Sequence, residues 1–177
     1  MCNPKADRAW ESLGPDPYLN GEGAFQTIMA VQSVGVQACA NYLVANNQEH
    51  WCYGISALVD DRMMREMHSY PFLRSIEVRA PGVTSIMCSY NQLNGTSLCH
   101  NAGLLGPNGL VRSAGFQGAF FPSLRTIRLD SIDRTSYVVS DWGAPGATHD
   151  SIADNSNAGL DVEQPGDWIL IGGGVHG

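Results

Sequence analysis

Residues 137–144 (YVVSDWGA) form an apolar run that ends abruptly on the carboxylate of Asp141, with Trp142 directly after it. Two interpretations of Asp141 follow from its residue type and position. Aspartate commonly caps helices and turns, and a strand that ends here feeds a turn. A carboxylate at the carboxyl end of a barrel strand is also a typical catalytic group. The rest of the chain has to decide between these roles.

The elements that would position Asp141 can be read from hydrophobic periodicity. Short apolar segments predict buried strands at 36–44, 83–89 and 138–140. Helical patterns cover 24–34, 60–79 and 102–114, the last interrupted by Gly-Pro. Repeated turn signals predict a loop at 13–24 (LGPDPYLNGEGA).

Strands that alternate with helices predict parallel βα units. In such a sheet the functional residues gather at the carboxyl ends of the strands. Polar or aromatic residues follow each predicted strand here, which favours the catalytic interpretation of Asp141. These residues are Asn46, Asn47, Tyr90, Asn91, Asp141 and Trp142.

The bulk composition excludes several classes of protein. The chain has 177 residues, 44% apolar and 15% charged, with a formal net charge of -7, which predicts one soluble globular unit. No stripe of Lys and Arg is present to bind nucleic acid, and no apolar run is long enough to span a membrane. The first residues lack the basic and apolar regions of a secretory signal. The cysteine spacings match no zinc site, so we expect no metal and no cofactor.

Two weaker signals lie in one polar loop. Cys88 and Cys99 bracket this loop, and Asn94-Gly95-Thr96 within it fits the acceptor pattern for N-glycosylation. We predict a Cys88–Cys99 disulfide and glycosylation at Asn94, both of which require an oxidising, secretory compartment. Each signal is short enough to be incidental, so the alternatives stay open from the residues alone.

Seven segments together resemble, in the same order, the β-glucosidases of glycoside hydrolase family 3. Any one segment is weak evidence, whereas the ordered set, over most of residues 7–167, indicates common ancestry with fungal or similar secreted members. The segments are DRAWESLGPDPYLNGEG, GVQACANYLVANNQEH, YGISALVDDRMMREMHSYPF, IMCSYNQLNGTSLCHN, GFQG, YVVSDWGA and AGLDVEQPGD.

The resemblance implies an α/β fold, namely a partial (β/α)8 TIM-type barrel that is truncated at both ends and occupies residues 1–167. It also implies secretion and retaining hydrolysis of terminal non-reducing β-D-glucosyl residues, with β-glucosides as substrates. Asp141 matches the nucleophile. Retaining enzymes hold this carboxylate and a general acid about 5–5.5 Å apart. The substrate-binding residues implied by the motifs are Arg8, Met87, Tyr90 and Trp142.

Each of these residues also has a structural interpretation. Arg8 could be a surface cation, and Met87 could fill a gap in the core. Tyr90 could be a half-buried aromatic residue at a strand end, and Trp142 a core residue. Asp141 could be a cap. Other carboxylates are expected to be scaffold, capping or solvent-facing groups: Glu49, Asp60, Asp61, Asp161 and Glu163.

The sequence departs from the family pattern beside the nucleophile. The family strand that matches 38–43 carries a Lys-His pair that binds sugar hydroxyls, and Asn41 and Tyr42 stand there instead. These two residues can hydrogen-bond a substrate but supply no positive charge to stabilise a carboxylate. Residues 119–136 are an off-pattern insertion, either a decorated loop or translated non-coding sequence, and 168–177 form an off-pattern tail.

The expected general acid/base, which the family draws from a following domain, has no match in this chain. A full barrel takes roughly 250 residues, so the match covers only part of one. Acid–base assistance contributes about 10²–10⁴-fold to rate, and we therefore expect impaired turnover. Two alternatives remain: a carbohydrate-binding remnant that keeps Arg8, Tyr90 and Trp142, or a gene-model product with unpaired sheet edges.

Overall fold

The three predicted strands form one parallel sheet. The structure is a computed structural model that describes residues 6, 8–76, 82–116, 136–147 and 151–165. Its strands are β1 (Cys39–Leu43), β2 (Ser56–Ala57), β3 (Ser85–Cys88), β4 (Gln92–Leu93), β5 (Thr96–Ser97) and β6 (Tyr137–Ser140). Its α-helices are α1 (Pro17–Ser33), α2 (Asp61–Met63), α3 (Tyr70–Ile76), α4 (Ala102–Leu105), α5 (Leu110–Ser113), α6 (Ala144–Ala147) and α7 (Ile152–Ala158).

The main sheet has the strand order β1-β3-β6, and both pairings are parallel. Asn41 of β1 lies opposite Met87 of β3, and Met87 in turn lies opposite Val139 of β6. The three strands therefore end at the same edge, as the sequence predicts. The α/β class and the parallel sheet are confirmed, while closure into a barrel stays a prediction.

The first helix begins where the sequence predicted a loop. Asp16 caps α1 by accepting a hydrogen bond from the Tyr18 amide at 2.8 Å, and Pro17 occupies the first helical turn. The loop prediction for 13–24 is therefore wrong from residue 17 onward. A Cβ on Gly21 would lie 2.9 Å from a ring carbon of Tyr70, so this glycine lets α1 approach α3 rather than forming a turn.

The region predicted as one helix at 60–79 is divided into three helical pieces. Residues 77–79 of that prediction lie outside the described residues. Asp60 caps α2, a π-helix follows over Met64–His68, and α3 begins at Tyr70. The new element begins next to Pro71, as expected for a residue that cannot donate a backbone hydrogen bond. This arrangement packs α3 against α1.

A small second sheet occupies the loop that follows β3. Strands β4 and β5 form an antiparallel hairpin, and β2 pairs with β4 in parallel. Asn94 and Gly95 both have positive φ angles of 49° and 85°, which fits a two-residue hairpin turn. A disulfide joins Cys88, at the end of β3, to Cys99 in the 3₁₀ helix Leu98–His100.

The core lies between the main sheet and its helices. Its largest fully buried apolar side chains include Leu43, Ile86, Leu98, Leu105 and Val138. Within the described ranges, no helix is long and apolar enough to cross a membrane. Residues 119–135 of the predicted insertion and the tail 168–177 lie outside the described residues.

Candidate active site

Asp141 stands at the carboxyl end of β6 and is fixed there by the backbone. Its amide donates a hydrogen bond to the Cys88 carbonyl at 3.0 Å, which extends the β3–β6 pairing by one step. Its side-chain Oδ1 accepts a hydrogen bond from the Trp142 amide at 2.6 Å. Gly143 then adopts φ +77°, and helix α6 begins at Ala144. The residue therefore has the local bonding of a turn acceptor while its carboxylate stays half-buried at the strand end.

Two phenols lie beside this carboxylate. Burial raises the pKa of Tyr90 well above its ordinary value, and the charge of Asp141 raises it further. Burial also raises the pKa of Tyr42; the hydrogen bond from Arg8 opposes that effect, and the charge of Asp141 adds to it. Both hydroxyls therefore remain protonated donors at neutral pH. Asp141, at the end of β6, thus interacts with side chains from both β1 and the loop after β3.

Tyr90 connects the strand ends to the tryptophan. Its hydroxyl donates a hydrogen bond of 2.8 Å to the Trp142 carbonyl. Its ring meets the ring of Tyr53 edge-on, with centroids 4.7 Å apart. The indole of Trp142 is 66% exposed, so it is not a core side chain. An exposed aromatic face next to a carboxylate can pack against the apolar side of a sugar ring.

Arg8 is held by two carboxylates and a phenol. Its guanidinium contacts Glu11 at 2.8 Å and Glu49 at 4.0 Å. One of its terminal nitrogens donates a hydrogen bond to the Tyr42 hydroxyl, and the guanidinium carbon lies 4.8 Å from the centre of the Tyr42 ring. Arg8 is thus tied into the structure and is not a free surface cation.

A cavity of about 430 Å³ opens beside β1, between the start of the described chain, α1 and the π-helix. Arg8, Asn41 and Tyr42 line it, so three predicted site residues meet there. Met87, Tyr90, Asp141 and Trp142 do not line it. The predicted site therefore forms two adjoining groups that share Tyr42. The polar side chains added to this cavity by the fold include Glu11, Asn20, Asn46, Asn47 and Glu49.

Sequence reasoning missed three residues of this arrangement. Glu11 lies three residues after Arg8, a spacing that can signal an ion pair in a helical turn. Glu49 was expected to be scaffold, yet it contacts Arg8 and accepts a hydrogen bond from Asn46 at 3.1 Å. Tyr53 had no local signal, because its contact with Tyr90 depends on how the chain returns after β1.

The polar loop holds the predicted modification residues. Cys88 and Cys99 are fully buried and bonded to each other. Asn94 lies exposed at the tip of the hairpin, and its side-chain amide donates to the Val59 carbonyl at 2.8 Å. In the part of the chain that the structure describes, no group of three or more His, Cys, Asp or Glu could hold a metal ion.

Comparisons with known proteins identify related molecules. No protein-family model matches the chain. A probable β-glucosidase L of Aspergillus terreus is 40% identical over 163 residues, which is 92% of this chain and 19% of that protein. The structure of a glycoside hydrolase family 3 β-glucosidase from Neurospora crassa matches with a TM-score of 0.71 and 32% identity, over 94% of this chain and 18% of that one. β-Glucosidase 3B from Thermotoga neapolitana, solved with glucose, matches with a TM-score of 0.75 and 33% identity, over 93% of this chain and 20% of that one.

Proposed function

We propose that this chain, which belongs to the β-glucosidases of glycoside hydrolase family 3, carries the nucleophile of a retaining β-glucosidase. The chain spans 19% of the length of its relative from Aspergillus terreus. The substrate class is terminal non-reducing β-D-glucosyl groups on small glucosides or β-glucan oligosaccharides. The observation that supports this proposal is the position of Asp141, which stands directly after the parallel strand β6 and whose charge raises the pKa of the phenols of Tyr42 and Tyr90.

In the proposed reaction, a carboxylate oxygen of Asp141 forms a bond to the anomeric carbon of the sugar. The bond from that carbon to the leaving oxygen breaks, and its electron pair goes to the leaving oxygen. Water then hydrolyses the glucosyl ester, so the product keeps the configuration of the substrate. An alkyl leaving oxygen needs a proton from an acid, whereas an activated aryl leaving group departs as a phenolate without one. Aryl glucosides therefore test the nucleophile by itself.

The other predicted residues take binding roles in this proposal. Trp142 offers its exposed ring to the sugar, and Tyr90 holds the Trp142 backbone in place. Arg8 and Asn41 face the adjoining cavity, where they can bind sugar hydroxyls. Met87 is half-buried next to Asn41 in the sheet, where its side chain can line the sugar pocket.

A burst experiment tests the nucleophile. We expect the chain to release up to one equivalent of dinitrophenol from dinitrophenyl β-glucoside and to gain the mass of one glucosyl group. Asp141→Asn should abolish both signals, because a neutral amide is a poor nucleophile. Asp61→Asn, at an exposed position on α2, is the control and should behave as the unaltered chain. A burst that persists in Asp141→Asn would contradict the proposal.

A second candidate function is carbohydrate binding without turnover. It is favoured by the replacement of the expected Lys-His pair with Asn41 and Tyr42, and by the engagement of Arg8 with Glu11, Glu49 and Tyr42. Calorimetry with glucose separates the two candidates. Binding heat without an aryl burst supports the binding role, and no heat at millimolar glucose rejects it.

We further propose that the chain is secreted and carries a glycan on Asn94. The exposed position of Asn94 at a hairpin tip and the Cys88–Cys99 disulfide support this proposal. The side-chain nitrogen of Asn94 donates one hydrogen to the Val59 carbonyl at 2.8 Å, and its second amide hydrogen is available for substitution. Loss of mass on treatment with an N-glycan-releasing enzyme would test the modification in the secreted protein.

A further inference from the structure

A short segment after α7, residues 161–164, lies alongside β6 on the side away from β3. The carbonyl of Val162 accepts a hydrogen bond from the Ser140 amide at 2.9 Å. Asp161 anchors the start of the segment, because its Oδ2 accepts a hydrogen bond from the Val138 amide at 2.8 Å. The segment is therefore fixed against the strand along most of its length.

The hydrogen bonding between β6 and this segment changes at Ser140, the last residue of the strand. In a regular parallel ladder, the amide of Gln164 would bond to the backbone carbonyl of Ser140. Here the Gln164 amide donates to the Ser140 hydroxyl at 2.8 Å, and this serine is fully buried. The hydroxyl also lies 3.5 Å from the Gln164 carbonyl. The side chain of Ser140 thus continues the pairing at the point where the chain leaves the strand.

Gln164 also holds the far end of the turn that follows β6. Its carbonyl accepts a hydrogen bond from the Gly143 amide at 2.8 Å. Asp141 and Trp142 lie between Ser140 and Gly143, so Gln164 contacts the chain on both sides of the carboxylate. Inside this closed turn, the Asp141 side chain accepts its hydrogen bond from the Trp142 amide. A turn that is held at both ends restricts the directions that the carboxylate can take, and a nucleophile requires such a fixed direction.

We propose that Ser140 is a positioning residue for Asp141, because its buried hydroxyl fixes Gln164 and Gln164 fixes the turn that carries the carboxylate. This inference rests on the proposed function, in which Asp141 is the nucleophile. In this role Ser140 acts through the turn and makes no bond to the sugar. The oxygen of the side chain is the part that matters, since it is the acceptor for the Gln164 amide.

Amide hydrogen exchange tests these hydrogen bonds without any turnover. Ser140→Ala removes the acceptor of the Gln164 amide, and we expect the Gln164 and Gly143 amides to exchange about 5-fold faster or more. Ser85→Ala is the matched control, because Ser85 is a buried serine at the opposite end of the sheet whose hydroxyl donates to the Ala38 carbonyl at 3.0 Å. It should leave both amides near their original rates. If Ser140→Ala and Ser85→Ala give the same rates, the hydroxyl does not fix the turn and the proposal is wrong.

The aryl burst tests whether the turn matters for the nucleophile. At saturating glucoside, which separates the chemical step from binding, Ser140→Ala should slow the burst about 10- to 100-fold, because a displacement of about 1 Å has an effect of that size. Ser140→Thr keeps the oxygen and should keep most of the rate. Ser140→Val has the shape of threonine without the hydroxyl and should be as slow as Ser140→Ala. Ser85→Ala should not slow the burst. Equal rates for Ser140→Thr and Ser140→Val would overturn the role of the hydroxyl.

The two proposals fail in distinguishable ways. If the unaltered chain gives no burst but amide exchange responds to Ser140→Ala, the hydroxyl fixes the turn and the nucleophile role of Asp141 is wrong. If the burst depends on Asp141 but is unchanged in a folded Ser140→Ala, the nucleophile role stands and the positioning role is wrong. Thermal unfolding checks that each variant keeps the fold. If Ser140→Ala unfolds, both measurements compare Ser140→Thr with Ser140→Val, because these two side chains favour strands.

Discussion

At the scale of single residues, the two interpretations of Asp141 do not exclude each other. Its Oδ1 caps the local turn through the Trp142 amide, and its charge acts on the phenols of Tyr42 and Tyr90. A carboxylate has two oxygens and about four acceptor sites, so a turn bond leaves capacity for a phenol and for attack on a sugar. The cap fixes the direction of the carboxylate, which a positioned nucleophile also requires.

Gly159 supports the fold and has no role in the candidate site. It ends α7 with φ +113°, and a Cβ there would lie 2.3 Å from the Leu105 carbonyl oxygen. We expect Gly159→Ala to lower the free energy of unfolding by about 2–5 kcal/mol, from left-handed strain together with overpacking against backbone. Urea unfolding followed by circular dichroism measures this loss.

Gly14 supplies a matched control for that substitution. Its φ of +112° is nearly the same, but a Cβ there would meet nothing within 4 Å. Gly14→Ala should therefore lower the free energy of unfolding only by the left-handed strain, about 1–2 kcal/mol. Equal losses for the two variants would show that the contact with Leu105 is not the source of the larger effect.

At the scale of elements, the parallel strands were predictable and the small sheet was not. Strands β3 and β6 lie in apolar runs because parallel strands are normally buried on both faces. Strand β1 follows the same apolar pattern, although only its last residue, Leu43, is fully buried. The hairpin of β4 and β5 has only two residues in each strand and depends on pairing with the distant β2. Such pairing leaves no periodicity that a sequence window could detect.

The start of α1 shows why turn signals failed there. Gly21 and Gly23 suggested a loop, yet each glycine lies where a side chain would strike a neighbour, Tyr70 in one case and Leu13 in the other. Those contacts are tertiary, so the sequence could not reveal them. For the same reason the motifs pointed to Arg8 and Tyr90 but not to the groups that contact them, because Glu49 and Tyr53 reach these residues only through the folded chain.

The disulfide between Cys88 and Cys99 links the end of β3 to the 3₁₀ helix beyond the hairpin, eleven residues along the chain. We expect the double variant Cys88→Ala, Cys99→Ala to lower the free energy of unfolding by about 2–4 kcal/mol, because the unfolded chain regains the freedom of that loop. Urea unfolding without reductant measures the difference.

Two comparisons control the disulfide experiment. Reductant added to the unaltered chain should reproduce most of the loss, and Cys39→Ser, at an exposed cysteine outside the disulfide, should leave the urea midpoint near its original value. If the double variant unfolds at the same urea concentration as the unaltered chain, the bridge does not constrain the unfolded state.

At the scale of the whole molecule, the main sheet that the described residues form is unpaired on one side. Strand β1 is the edge strand of the order β1-β3-β6, and across the described ranges no other strand pairs with its outer edge. On the opposite side, Val162 forms a bridge with Val139 of β6. Parallel sheets are normally enclosed on both faces, and an open edge can pair with a strand of another molecule. We predict that copies of this chain can associate through the β1 edge.

A single charge on the β1 edge should reduce that association. Cys39 is exposed at the start of β1, and a lysine there would place a solvated charge where a second strand would have to pair. At high protein concentration and without reductant, so that the Cys88–Cys99 disulfide stays intact, we expect Cys39→Lys to give a higher monomer fraction than Cys39→Ser in sedimentation velocity. Cys39→Ser removes the thiol without adding charge and is the control for the lysine variant. If lysine and serine give the same distribution, the edge of β1 is not the contact through which the molecules associate.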